Sequence, residues 1–400
     1  MTSKDKILIG LVDADLLNGG TRHPNLVLLK LAGFLTDNAI PFRLIIDKDE
    51  NIMEYTTIYM SKVFSFTPDP PFYEKVKKTP NENKFKIGGT GDYAIKKDIK
   101  DFKSSRTRDM NQLENDIFLN NYPNKRGGKK KWGIDMCRQM PYYHLYDEYI
   151  QSKIKAGRKK SYFNDYLYYS IGFLTRGCIR HCPFCVNKLE NKVYRYSELE
   201  WFLDDERNEK GDLIRPYIYL WDDNFLAAPK EIWQPMLQSL IDSKRPFQFR
   251  QGLDERILAE SEDGEEIAQM LSKCKYHGDF IFAFDNWRDR DKIIKALKIW
   301  KRHNSKRGTK FYLFCGYTLK SGEDEKLYND IKILFERIKI LMQYGCFGYV
   351  MRHADYVNHK LSNIYVQIAR WCNQPQFYRY MSFWEYCYRN QSYWEQKTKK

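Results

Sequence analysis

The sequence predicts an α/β protein. A small doubly wound, Rossmann-like domain precedes a partial (βα)6 TIM-like barrel, and a helical extension follows at the C-terminus. Three observations predict this. Short apolar runs alternate with longer stretches of helical period along most of the chain. Six strand–helix units follow one another from residue 168. Thiol and carboxylate residues gather just after the predicted strands, where parallel α/β folds place their sites.

Residues 6–11 read as a strand and residues 23–35 as a helix, with Val27, Leu28, Leu31, Phe34 and Leu35 on one face. Residues 42–46 and 57–64 read as strands. Residues 85–87 form a short strand running into Gly88-Gly89-Thr90-Gly91. This domain spans residues 1–125. Residues 96–131 within and beyond it read as an exposed basic insertion, with Lys96, Lys97, Arg106, Arg108, Lys125, Arg126 and Lys129-Lys130-Lys131. A solvated loop is the simpler reading of that run, and a phosphate contact the sharper one. Residues 126–160 are expected as a linker.

The barrel is expected over residues 161–353. Strands are predicted at 168–174, 217–221, 247–251, 279–284, 310–317 and 347–351. Helices are predicted at 197–207, 230–243, 265–273, 290–303 and 324–344. Ser197 and Glu200 have the spacing of a capping box for the first of these. Six units are too few to close an eight-stranded barrel, hence a partial one. Residues 354–400, with Trp371, Phe377, Tyr378, Phe383, Trp384 and Tyr388, read as a helical cap whose Lys397 to Lys400 tail frays.

Hydrophobic residues make up 42% and charged residues 30% of the 400, the balance of a globular chain with real cores. The net charge of +15 suits phosphate-bearing partners such as nucleic acid. Aromatic residues reach 16%, enough either for a ring-rich core or for stacking on nucleobases, and the core is the simpler reading. No apolar run approaches the ~18 residues a membrane span needs. The N-terminus lacks a signal-peptide layout, so a cytoplasmic location and reduced thiols are expected. The nine cysteines then read as free thiols or metal ligands rather than as a disulfide framework.

Three of them crowd into Thr175-Arg176-Gly177-Cys178-Ile179-Arg180-His181-Cys182-Pro183-Phe184-Cys185-Val186-Asn187-Lys188. A loop with this spacing can wrap one iron–sulfur cube and aim three thiolates at three irons. Such clusters normally take four Cys ligands, so three leave one iron open to a chelating substrate. Zinc is the competing reading. A structural zinc needs four ligands, His181 is squeezed between ligands, and no second Cys pair lies nearby. Cys137, Cys274, Cys315, Cys346, Cys372 and Cys387 are scattered singly and read as core residues.

The cysteine motif, with the aromatic Phe184 before its third Cys, resembles the signature of the radical S-adenosylmethionine (SAM) superfamily. The flanking Thr-Arg-Gly-Cys and Asn-Lys look most like the branch that carries an N-terminal cobalamin-binding-type domain. Gly88-Gly89-Thr90-Gly91, Pro141-Tyr142-Tyr143, Asp222-Asp223-Asn224-Phe225, Gln251-Gly252-Leu253-Asp254 and Phe282-Ala283-Phe284-Asp285 extend the resemblance over most of residues 1–350. It implies a [4Fe–4S] cluster on Cys178, Cys182 and Cys185, with the open iron chelating the amino and carboxylate groups of S-adenosyl-L-methionine. It implies reductive cleavage of SAM and hydrogen abstraction from, or methylation of, an unidentified substrate. A flavodoxin- or ferredoxin-like protein would supply the electron. The substrate stays open: the basic loop and the rings are compatible with a nucleic acid or a peptide, and nothing in the sequence chooses between them.

By the same resemblance, Phe184 lies near the adenine through its backbone, and Asp223 and Asn224 face the amino group or ribose hydroxyls of SAM. Gln251 and Asp254 face SAM or substrate, and Asp285 the ribose or substrate. The plainer reading of each acidic residue is a turn or a helix N-cap. No catalytic side chain is assigned.

The resembling branch usually supplies a cobalamin ligand from Asp-x-His-x-x-Gly. Here Asp13-Ala14-Asp15-Leu16-Leu17-Asn18-Gly19-Gly20 has no His at that spacing, and His23 precedes Pro24, where it caps or packs. Cobalamin bound without a protein ligand and loss of cobalamin are the alternatives, and loss is favoured. No Cys precedes Cys137, which argues against the methylthiotransferase branch and its second cluster. The alternative from another class is a nucleic-acid-binding protein with a structural metal cluster.

Overall fold

The computed structural model describes residues 8–89, 91, 134–185, 191–317, 324–358 and 362–390. Thr90, the whole basic insertion at 96–131 including Lys129, Lys130 and Lys131, Asn187, Lys188 and the Lys397 to Lys400 tail lie outside the described residues. The chain is α/β with parallel sheets. Its first seven strands are β1 (Ile9–Asp13), β2 (Phe42–Leu44), β3 (Thr57–Ser61), β4 (Phe85–Gly88), β5 (Tyr169–Gly172), β6 (Thr175–Arg176) and β7 (Tyr194–Arg195). Five more follow: β8 (Tyr217–Leu220), β9 (Phe247–Phe249), β10 (Phe280–Ala283), β11 (Thr309–Cys315) and β12 (Phe347–Arg352). Among the described residues no helix is long and apolar enough to cross a membrane.

The contacts divide the chain into two compact units. The first comprises residues 1–174, 180–191 and 196–219, and the second residues 175–179, 192–195 and 220–400. In the first unit a four-stranded parallel sheet has the order β2-β1-β3-β4, with Ile9 opposite both Phe42 and Thr57. Every residue of β1 and β3 is buried, which is why these strands read as continuous rather than alternating apolar runs. Helix α1 (Ala14–Gly19) starts where Asp13 accepts from the Leu16 N–H, and α2 (Leu26–Asp37) where Asn25 accepts from the Leu28 N–H.

One face of this sheet packs Ile45, Ile52, Tyr55, Ile58 and Phe85 together. The other core joins Leu28, Leu31 and Leu35 of α2 to Ile134, Met136, Tyr143, Tyr146, Tyr149, Phe163 and Tyr166. The expected linker thus contributes core residues between Ile134 and Ile150, is exposed over residues 151–160, and carries the helix α3 (Asp147–Lys155). Two of its tyrosines, Tyr143 and Tyr146, bury their rings while their hydroxyls bond buried partners. Tyr143 donates to the Phe202 carbonyl at 2.7 Å.

The predicted helix 197–207 is replaced by a single 3-10 turn, Leu199–Trp201. Ser197 donates its hydroxyl to the Cys137 carbonyl at 2.7 Å instead of capping. Downstream, Asp204 pairs with the buried Arg215 at 2.6 Å, which draws the chain away from a helical path.

In the second unit β6 and β7 form a short antiparallel pair. Strands β10, β11 and β12 are parallel neighbours in that order, with Phe280 opposite Thr309 and Lys310 opposite Phe347. Parallel bridges Phe247–Tyr276 and Leu253–Phe282 run β9 and its continuation alongside. The helices α4 (Lys230–Asp242), α5 (Arg256–Glu260), α6 (Gly264–Lys273), α7 (Arg290–Asn304) and α8 (Asp324–Gln343) alternate with these strands. α7 shows why: Ile293, Ala296, Leu297 and Trp300 fall on one stripe and are buried. Ser362–Cys372, Pro375–Tyr380 and Phe383–Arg389 complete the helical C-terminus.

Candidate functional site

The cysteine loop begins from a tightly held base. Thr175, fully buried, donates its N–H at 2.6 Å and its hydroxyl at 2.7 Å to one carboxylate oxygen of Asp222, itself 1% exposed. The next carboxylate, Asp223, accepts the Gly177 N–H at 3.1 Å and lies 3.8 Å from the Arg176 guanidinium. Gly177 sits at φ +93°, a left-handed conformation that a side chain would strain. Two adjacent carboxylates after β8 thus pin the residues leading into Cys178 by charge-assisted hydrogen bonds.

Cys178, Cys182 and Cys185 are of intermediate exposure and in no disulfide. Cys182-Pro183-Phe184-Cys185 forms a turn in which the Cys185 N–H donates to the Cys182 carbonyl at 3.0 Å, with proline at the position turns favour. Phe184 is 36% exposed on this turn. Among the described residues, no group of three or more His, Cys, Asp or Glu side chains is arranged to hold a metal ion. The donor chemistry nevertheless suits an iron–sulfur cube, since the loop offers three accessible thiols and no disulfide.

Asn224 is buried beside this base. Its amide nitrogen donates to the Cys178 sulfur at 3.4 Å and to Asp254 at 3.1 Å, while its amide oxygen is buried without a hydrogen-bond partner. Gly252, at φ +87°, turns the chain after β9 so that Leu253 bonds the Ile281 carbonyl and Asp254 faces Asn224. Asp254 also accepts from Arg256 at 2.6 Å, and Arg256 reaches Asp289 at 3.0 Å. The structure therefore brings Cys178, Asp223, Asn224 and Asp254 together. Gln251 is exposed. Asp285 accepts the Phe314 N–H at 2.9 Å, tying the end of β10 to β11, and burial raises its carboxyl above the ordinary range.

Sequence reading stopped at Asp254 and missed Glu255. That carboxylate is 2% exposed and accepts the Ala283 N–H at 3.1 Å, and its other oxygen is buried without a partner. Burial, reinforced by the neighbouring Asp254, pushes it well above the usual carboxylate range. The run Asp254-Glu255-Arg256 at a strand end was the available signal. Arg337 was missed as well. Buried on α8, it donates to the Phe284 and Phe314 carbonyls at 2.7 and 3.0 Å and so joins two strand ends.

In the first unit, the strand order reverses between β1 and β3, the place where doubly wound sheets bind ligands. Here that edge is closed by the chain's own groups. Asp13 accepts the Leu16 N–H at 3.1 Å and the Tyr146 hydroxyl at 2.9 Å. The Tyr146 oxygen accepts the Asn25 N–H at 3.1 Å, and the Asn25 amide donates to Ser61 at 2.7 Å. Asp15 accepts the Val63 and Phe64 N–H groups and the Thr67 hydroxyl. His23 pairs with Asp165. Burial pushes the Asp13 carboxyl up to about 7, against the lowering effect of its two hydrogen bonds. Among the described residues, these polar groups at the strand ends bond one another.

No family model and no curated protein matches the chain.

Proposed function

We propose that the chain is a radical SAM enzyme, built on a partial (βα)6 barrel, that cleaves S-adenosyl-L-methionine reductively and takes hydrogen from, or methylates, a further substrate. One observation carries this reading. Cys178, Cys182 and Cys185 stand as three part-exposed cysteines outside any disulfide, at the spacing of a [4Fe–4S] ligand loop, on a base pinned by Asp222 and Asp223. When bound, the cluster and SAM supply a primary carbon radical.

The chain's own residues have separable tasks. Asp222 and Asp223 fix where the loop leaves β6. The turn at Cys182–Cys185 presents two thiols and the Phe184 ring on one short stretch. Cys178, Cys182 and Cys185 would hold the cluster as thiolates. Asp254, Glu255 and the Asn224 amide oxygen supply acceptors at strand ends for the ammonium and hydroxyl groups of SAM. The exposure of the loop suits an electron donor of flavodoxin or ferredoxin type. In this reading the N-terminal unit, where Tyr146 bonds Asp13 at the end of β1, works without cobalamin.

Anaerobic reconstitution with iron and sulfide, then reduction in the presence of SAM, tests the proposal. The expected outcome is a brown protein that forms 5′-deoxyadenosine. A colourless, zinc-loaded protein that leaves SAM intact would overturn it.

A further inference from the structure

The geometry points to Asn224 as a positioning residue that raises the reduction potential of the cluster through an N–H···S hydrogen bond to Cys178. The inference rests on the proposed function, since it concerns the same cluster, but it assigns the Asn224 amide nitrogen to Cys178 rather than to SAM.

The primary amide has two N–H donors and one oxygen. Its nitrogen lies 3.4 Å from the Cys178 sulfur and 3.1 Å from an Asp254 oxygen. Both acceptors are anionic when Cys178 is a thiolate ligand, so both N–H bonds are engaged. The flipped amide would set its oxygen against the Asp254 carboxylate, which is repulsive. Asp254 is itself held by Arg256 at 2.6 Å, and Arg256 by Asp289 at 3.0 Å. The amide therefore cannot turn away without breaking that chain. Asn224 is 3% exposed, so little water competes for the sulfur.

A donor to a cluster sulfur binds more strongly when the sulfur carries more negative charge. It stabilises the reduced cluster over the oxidised one, and hydrogen bonds to the sulfurs are among the factors that set such potentials. The step affected is a one-electron reduction by an external flavodoxin- or ferredoxin-type donor. No proton moves at Asn224, and no bond forms or breaks there beyond the hydrogen bond.

The test is an anaerobic redox titration of the reconstituted full chain, followed by electron paramagnetic resonance, with iron content measured in parallel. Asn224→Ala should keep the parent's iron content while its ratio of reduced to oxidised cluster at a fixed solution potential falls about tenfold, a drop of ~59 mV in midpoint for a one-electron couple. Asp254→Asn, which frees the amide to rotate, should shift the midpoint in the same direction by less. Asn224→Ala with the parent's iron and an unchanged midpoint would overturn the inference. If Asn224→Ala fails to load, an unchanged midpoint in Asp254→Asn would do so. A parent chain that assembles no iron–sulfur cluster would instead overturn the function itself.

Discussion

Asp222→Ala removes the acceptor for two donors in one step. The Thr175 N–H and hydroxyl, at 2.6 and 2.7 Å, both end on the same Asp222 oxygen, and the two residues are 0% and 1% exposed. Water cannot take the place of the lost carboxylate without opening the strand end. A buried donor left unsatisfied costs about 1–3 kcal/mol. The hydroxyl can rotate to another acceptor but the N–H cannot, so the expected loss is about 3 kcal/mol. Asp222→Asn retains one oxygen acceptor and should lose about half as much. Urea denaturation measures this as a lower midpoint at an unchanged slope. The local consequence is read by thiol labelling, which should become faster at Cys178, three residues from the lost anchor. An Asp222→Ala chain within about 0.5 kcal/mol of the parent, with Cys178 labelled at the parent's rate, would refute the assignment of Asp222 as the anchor of the loop.

Cys182→Ala should abolish both cluster assembly and SAM cleavage, measured as iron content and 5′-deoxyadenosine; retained turnover would remove the site. Asp223→Ala should leave the cluster colour but weaken SAM binding, because the loop base loses the Gly177 contact; equilibrium dialysis with an unchanged affinity would count against it. Asp13 gives a pH signature. Its folded carboxyl ionises near 7 against an ordinary 3.8, so the folded chain holds a proton the unfolded chain releases. The stability this contributes is complete below about pH 4, falls as pH rises to about 7 and is level above, by up to ~4 kcal/mol. Asp13→Asn should flatten that part of the stability profile, and an unaltered profile would contradict the burial argument. Mixing cobalamin with the chain should leave the corrin spectrum that of the free cofactor; a bound spectrum would show that the crevice opens.

The strands were legible because each is a compact run of apolar and aromatic residues between polar stretches, as at Phe280–Ala283 and Thr309–Cys315. The cysteine loop was legible because its chemistry is local, three thiols within eight residues. What escaped was decided by distant partners. Ser197 gave the spacing of a capping box but bonds Cys137, 60 residues away. The segment from residue 134 looked like a connection because its tyrosines count as half polar, and only folding shows the Tyr143 and Tyr146 hydroxyls satisfied on buried partners. Tyr146 closing on Asp13 across 133 residues has no signature in the chain at all. Asn224 was singled out as a ligand for SAM from its place after a strand. Its bonds to Cys178 and Asp254, 46 and 30 residues distant, depend on how three separate strand ends converge.

The central claim is that three sulfurs hold an iron–sulfur cube with one iron left for SAM. Electron paramagnetic resonance of the reduced, reconstituted chain with and without SAM tests it most directly. A signal characteristic of one [4Fe–4S] cluster per chain, altered when SAM is added and lost in Cys178→Ala, is the predicted result. A cluster whose signal ignores SAM, or a centre in which a fourth side chain completes the coordination, would contradict it.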